Sequence, residues 1–244
     1  MKQSIFTIVS HEQLTATVFR MVLAGDTSDI TATGQFVNVR LEGKFLRRPI
    51  SVCDWDDQTL TLVYKVVGLG TEQMSKMQAG EKLDILTGLG NGYNLEAGFT
   101  KPLLIGGGVG VPPLYALCKA LVKKGVKPVA ILGFNKKEEI FLKEDFEKLG
   151  VEVIVATADG SYGVKGFVTD AMKTVEGYDY FFSCGPEPML KAVSFATECS
   201  GQLSFEERMA CGFGACMGCS CKTKYGNKRI CKDGPVLVKE EVIW

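Results

Sequence analysis

Alternation of apolar and polar positions dominates the first hundred residues. Residues 5–9, 17–23, 35–41 and 60–67 are short runs rich in β-branched and aromatic side chains, separated by Gly, Asp and Ser. Such runs with turn residues between them predict an antiparallel β-barrel. Only residues 71–77 have helical spacing in that half. Near Lys101 the rhythm changes. Residues 102–105, 128–133, 151–156 and 178–183 are continuous apolar runs, and amphipathic segments at 111–124, 137–149, 166–174 and 187–199 alternate with them. Strand–helix alternation of this kind predicts a parallel α/β sheet. From Gly201 neither pattern holds, and Gly212, Gly214, Gly218 and Gly226 interleave with cysteines. The expected fold is multidomain α/β: an antiparallel barrel over 1–98, a parallel-sheet domain over 99–200 and a small cysteine-rich unit over 201–244. A unit that short usually needs a metal or crosslink to fold.

Composition narrows the function. Lys+Arg and Asp+Glu each number 28, with no block of like charge, so nucleic acid is not an expected partner. No apolar stretch approaches the ~18 residues of a membrane span, and the N-terminus lacks a signal-type apolar core. A cytoplasmic location without membrane contact is expected. The single histidine, His11, excludes HExxH and histidine-rich metal sites and leaves nucleophile–histidine catalysis with one candidate base. No catalytic acid or base stands out.

Nine cysteines are present, and Cys211, Cys216, Cys219, Cys221 and Cys231 fall in one short stretch. In a reducing compartment such a cluster suggests metal ligation before disulfides. Cys211, Cys216, Cys219 and Cys231 have the form C-x4-C-x2-C…C, the plant-type [2Fe–2S] spacing, with small residues between the ligands. A structural zinc site or reduced thiols are the alternatives; zinc motifs usually pair two short knuckles. Cys221 fits the spacing least well and is read as a bystander.

Ile105-Gly106-Gly107-Gly108-Val109-Gly110 follows an apolar strand and opens a helical segment, an arrangement that lets backbone approach a dinucleotide. Val111 stands where a strict G-x-G-x-x-G has its last glycine. Cys184-Gly185-Pro186 repeats the strand–turn–helix layout at a strand's C-terminal end, with a buried small side chain as the plainer reading of Cys184. In the barrel half, Arg47-Arg48-Pro49-Ile50-Ser51 joins cations to a hydroxyl, and Gly68-Leu69-Gly70-Thr71 leads into a helix. Arginine suits a pyrophosphate because its planar fork donates two hydrogen bonds and stays charged.

Together with Ala158-Asp159-Gly160-Ser161-Tyr162-Gly163 and Glu207-Arg208-Met209-Ala210-Cys211-Gly212, these motifs resemble the ferredoxin–NAD(P) reductase superfamily along the whole chain. Within it the resemblance is to the family of electron-transfer subunits of dihydroorotate dehydrogenase B. That resemblance implies FAD bound through Arg48, Pro49, Ile50, Ser51, Lys65, Val66, Val67, Gly70 and Thr71. It implies NAD near Gly107, Gly108, Asp159, Gly160, Cys184, Gly185 and Pro186, and the [2Fe–2S] cluster on Cys211, Cys216, Cys219 and Cys231. It also implies an FMN-containing catalytic partner subunit in a heterotetramer of two of each chain. Two positions depart from the family pattern: Leu89 replaces a proline, and Ile50 replaces an aromatic residue, so aliphatic packing is expected there. Asn135-Lys136-Lys137 leaves NADP open as the nucleotide. A related NAD(P)H–ferredoxin reductase subunit, and a redox-sensing or zinc-stabilised binding protein, are the competing functions.

Overall fold

The computed structural model describes residues 1–244. Six strands, β1 (Lys2–Gln13), β2 (Val18–Ala24), β3 (Phe36–Val39), β4 (Arg48–Trp55), β5 (Thr59–Lys65) and β6 (Lys82–Leu89), close a barrel in the order β1-β2-β5-β4-β3-β6. All its pairings are antiparallel. The interior is filled by Phe6, Met21, Leu23, Val37, Val39, Leu62 and Ile85, the inward members of alternating strands. Helix α1 (Leu69–Ser75) follows β5 and inserts Met74 beneath the barrel.

The second half builds a seven-stranded sheet from β7 (Pro102–Gly107), β8 (Val129–Phe134), β9 (Glu152–Thr157), β10 (Val164–Lys165), β11 (Tyr180–Cys184), β12 (Gly201–Ser204) and β15 (Val236–Val238), in the order β10-β9-β8-β7-β11-β12-β15. All neighbours are parallel except β12 and β15. Helices α2 (Val111–Lys123), α3 (Lys143–Lys148), α4 (Val168–Met172) and α5 (Glu187–Ala196) connect them. Pro112 and Pro113 open α2, where a missing N–H has no intrahelical partner to lose. Its buried face, Leu114, Leu117, Cys118 and Leu121, shares one core with Val18, Cys53 and Val63 of the barrel, so the two halves pack directly on each other. The hairpin β13 (Ser220–Thr223) and β14 (Gly226–Arg229), with the single turn α6 (Ile230–Asp233), completes the cysteine-rich segment.

Three local expectations change. Residues 137–149 are not one helix: a short 3-10 turn at Lys137–Glu139 is separated from α3 by Leu142, which adopts a left-handed φ of 62°. Phe141 and Leu142 are thereby buried in the core. Strands β4 and β6 were not anticipated as full strands. The boundary at 200/201 cuts through the sheet, because β12 and β15 both lie beyond it and extend the sheet past β11.

Candidate functional site

The C-terminal ends of β7, β8 and β11 open into a cleft of about 570 Å³. Gly107, Gly108, Gly133, Phe134, Pro186 and Met189 line its sheet side, and Thr17 and Lys65 line its barrel side. The glycine-rich turn owes its shape to close backbone approach. A Cβ on Gly110 would fall 2.2 Å from the Cys184 carbonyl oxygen. Gly107 and Gly108 border the cleft, whereas Cys184 is only 2% exposed and its side chain belongs to the core. Burial, then nearby Glu206, push its thiol well above the usual range. Gly185 is buried beside it and Pro186 reaches the cleft. Asp159 and Gly160 are exposed on the loop after β9. There the Asp159 carboxylate accepts from the Ser161 hydroxyl at 2.7 Å and the Ser161 N–H at 2.9 Å, which holds its carboxyl below the ordinary value. The Ser161 hydroxyl accepts from the Lys137 N–H at 2.8 Å, tying this loop to the end of β8.

At the barrel edge the two adjacent arginines divide their work. Arg47 is committed to the scaffold: its guanidinium pairs with Asp84 at 2.9 Å and donates to the carbonyls of Asn38 at 3.3 Å and Asp84 at 3.0 Å. Arg48 has no carboxylate partner; it donates to the carbonyls of Leu46 and Arg47 and lies against Gly70. Its charge is therefore free for an anion. Thr71 is buried and braces the turn, its hydroxyl accepting from the Val67 N–H at 2.9 Å and donating to the Gly68 carbonyl at 3.1 Å. Val67 is 79% exposed, and Lys65 is also exposed, while Val66 is half-buried. Pro49, Ile50 and Ser51 are half-buried on β4, and Ile50 packs on the barrel core.

The cysteines lie in two pairs. Cys211 and Cys216 approach through their thiols, as do Cys219 and Cys231. No three of these side chains converge as a single tetrahedral ion requires. Two pairs are the arrangement that a two-iron cluster would take up, with two thiolates on each iron. Burial alone would raise the Cys211 thiol, but hydrogen bonds from the N–H groups of Phe213, Cys216 and Ala215 and from the Cys216 side chain outweigh it and bring the pKa to about 6. Burial, then Cys219, raises Cys231 to about 12. The Cys231 N–H donates to Cys219 Sγ at 3.4 Å. Backbone donors aimed at sulfur are what a thiolate-held cluster needs. Cys221 stands apart on β13, with its thiol near the Lys222 carbonyl. A Cys221→Ser variant should keep the full iron content of the parent; halved iron by colorimetric assay would make Cys221 a ligand.

Two family models match the chain: the oxidoreductase NAD-binding domain over residues 104–194, and the iron-sulfur cluster binding domain of dihydroorotate dehydrogenase B over residues 206–243. The electron transfer subunit of dihydroorotate dehydrogenase B (NAD(+)) from Geobacillus sp. (strain WCH70) is 43% identical over 256 residues, spanning 100% of this chain and 99% of that protein. The chain belongs to this family of electron transfer subunits. The corresponding protein of Fusobacterium nucleatum is 42% identical and covers 97% of this chain and 96% of its own length. The solved structure of an NADH-dependent reduced ferredoxin-NADP oxidoreductase, described for flavin-based electron bifurcation, superposes with a TM-score of 0.89 at 31% identity, over 98% of this chain and 90% of that one.

As a member of this family, the chain is an oxidoreductase component with an NAD-binding domain and an iron-sulfur cluster binding domain on a fold shared with a flavin-based oxidoreductase, which supports the expected cofactor set of FAD, a [2Fe–2S] cluster and NAD. The family name itself implies a catalytic partner subunit. No helix is long and apolar enough to cross a membrane. Sequence reading missed several cleft residues, among them Glu139, Phe167, Met189 and Glu206. Glu206 is solvent-accessible yet set down in the cleft, whose walls raise its carboxyl above the ordinary value. A glutamate two residues after a strand end carries no sequence signal of that placement.

Proposed function

We propose that this chain takes electrons from an FMN-containing catalytic subunit that oxidises dihydroorotate, and delivers them to NAD+. The complex is a cytoplasmic assembly of two copies of each chain, acting in pyrimidine biosynthesis. The observation that supports it best is the placement of the barrel edge. From one side Lys65 and Thr17 reach the nucleotide cleft, and from the other Asn38 of β3, the neighbour of β4, touches the carbonyl of Cys211. The edge assigned to FAD thus stands between the nucleotide and cluster sites.

Bound FAD supplies the exchange of hydride with nicotinamide and of single electrons with an iron–sulfur cluster. The chain's own residues bind and orient. Arg48 offers an unpaired planar cation to the FAD pyrophosphate, and Thr71 keeps the Gly68–Gly70 turn in shape beside it. Pro49, Ile50 and Ser51, with Lys65, Val66 and Val67, supply the flavin-facing edge. Gly107 and Gly108 leave the cleft open to backbone approach by NAD; Pro186 of the Cys184-Gly185-Pro186 turn also lines it, and Asp159 and Gly160 follow Ala158, another lining residue. Glu206 lines the cleft, and burial raises its carboxyl above the ordinary value. The paired thiols of Cys211, Cys216, Cys219 and Cys231 hold the cluster.

Removing the free cation separates binding from folding. Arg48→Ala should lower FAD retention by about 10- to 100-fold, the worth of hydrogen bonds from a charged donor, measured as flavin absorbance after gel filtration. Arg47→Ala should instead lower the unfolding temperature with less effect on flavin affinity, because Arg47 joins Asn38 and Asp84.

Likeness to the NADH-dependent reduced ferredoxin-NADP oxidoreductase favours a second reading, a reductase subunit that serves another oxidoreductase. The deciding experiment is dihydroorotate-dependent NAD+ reduction by the complex pulled down anaerobically on the tagged chain, with NADH-to-dye activity as control. Activity that disappears with the partner establishes the orotate relay. No activity, with the dye control intact and a partner present, assigns the chain to the second reading.

A further inference from the structure

Asn38 holds an unusual place between the two electron-carrying regions. It lies on β3, only 1% exposed, between Val37 and Val39, whose side chains enter the barrel core. By strand alternation its own side chain leaves the barrel on the opposite face. There its Nδ2 donates to the Cys211 carbonyl at 3.3 Å. Across the ladder it pairs with Pro49 of the edge assigned to the flavin. Its Oδ1 is buried and has no hydrogen-bond partner. Only the Nδ2 end of the carboxamide faces the cluster loop: a Cβ on Gly212 would lie 2.3 Å from Nδ2, 3.2 Å from Cγ and 3.9 Å from Oδ1, so Oδ1 is turned away from it. Gly212 also has a φ of +76°, so the loop has neither the room nor the backbone for a side chain there.

A buried acceptor without a donor is unfavourable, and a leucine of similar volume would avoid it. The carboxamide contributes something leucine cannot, namely a directed hydrogen bond to the residue that carries the first cysteine. We infer that Asn38 is a positioning residue that fixes the cluster-binding loop against the flavin-facing strand. It holds the Cys211 carbonyl through Nδ2, while Oδ1 is left without a partner. The inference rests on the relay reading for its consequence in electron transfer, but its structural half does not.

The structural half is tested on the cluster-loaded protein by hydrogen–deuterium exchange. In Asn38→Leu, amides of residues 211–219 should exchange about fivefold to tenfold faster than in the parent, the effect of losing one net hydrogen bond on loop opening. Far-UV dichroism and flavin content serve as folding controls. Because leucine can disturb the fold, Asn38→Ala supplies a second variant, which removes the carboxamide without adding bulk. It should show the same faster exchange. On the loaded protein, anaerobic bleaching of the cluster by NADH should slow by about tenfold, as misplaced reacting groups do, with a shifted electron paramagnetic resonance signal. Parent-like exchange in both variants overturns the inference. Faster exchange with parent-like bleaching and an unshifted signal overturns its electron-transfer half. Neither result depends on which partner supplies electrons, which the dihydroorotate assay decides.

Discussion

Cys216→Ser should abolish the cluster's visible absorbance and all transfer to the partner while leaving part of the NADH-to-dye activity in place. A serine hydroxyl resists deprotonation near neutral pH and is a far weaker iron ligand than a thiolate, and even outer partners of metal ligands are worth about 10- to 100-fold in affinity, so iron content should fall to background. Cys216 is the right proposed ligand to remove because it is exposed and its sulfur accepts only from the Gly218 N–H, at 3.5 Å. Nothing in the core leaves with it. Cys231, at 2% exposure among apolar neighbours, would lose packing and ligation together. The measurement is the ratio of partner-dependent to dye-dependent turnover. Equal loss of both would mean that the cluster is needed for the fold itself.

Gly110→Ala should be the most damaging small substitution outside the cluster. The added carbon would stand 2.2 Å from the Cys184 carbonyl oxygen, 2.4 Å from its carbon and 2.6 Å from the Gly185 nitrogen. All three are backbone atoms of the neighbouring turn, so no rotamer change relieves the overlap. Overpacking of this kind costs about 1–3 kcal/mol or more, and here it separates β7 from β11 at the mouth of the cleft. A drop in unfolding temperature with weakened NADH binding by titration is expected. Parent-like values for both would show that the glycine-rich turn and the Cys184 turn can move apart freely.

Much of this was visible in the residues because the strongest signals are local. The spacing of Cys211, Cys216, Cys219 and Cys231 is a ligand pattern whatever surrounds it, and the four apolar runs after Lys101 became the parallel core strands β7, β8, β9 and β11. What stayed hidden depends on distant contacts. Strand β4 begins with charged and proline residues, Arg48 and Pro49, and owes its extension to pairing with β3 and β5. Strand β6 ends in Thr87, Gly88 and Leu89, which read as a loop until β1 and β3 are laid beside it. Strands β12 and β15, of four and three residues, are too short to rise above the glycine- and cysteine-rich background. The helical spacing of residues 137–149 was real, but burying Phe141 and Leu142 required a break. Cys184 carried a motif, yet only the packed sheet shows that its thiol faces inward while Pro186 meets the cleft.

The pairing of β12 with β15 has a further consequence for anyone who would treat the cluster segment as a transferable part. The loop that carries all four proposed ligands leaves the sheet at Ser204 and returns to it at Val236, two residues that face each other across neighbouring strands. It is a stitch through the fabric of the nucleotide domain, fastened at both ends. Cutting out residues 206–243 for grafting would take β15 away and bare the edge of β12, inviting association with another chain. The cluster therefore cannot be exchanged between reductases by simple excision. A hybrid must carry the whole sheet with it.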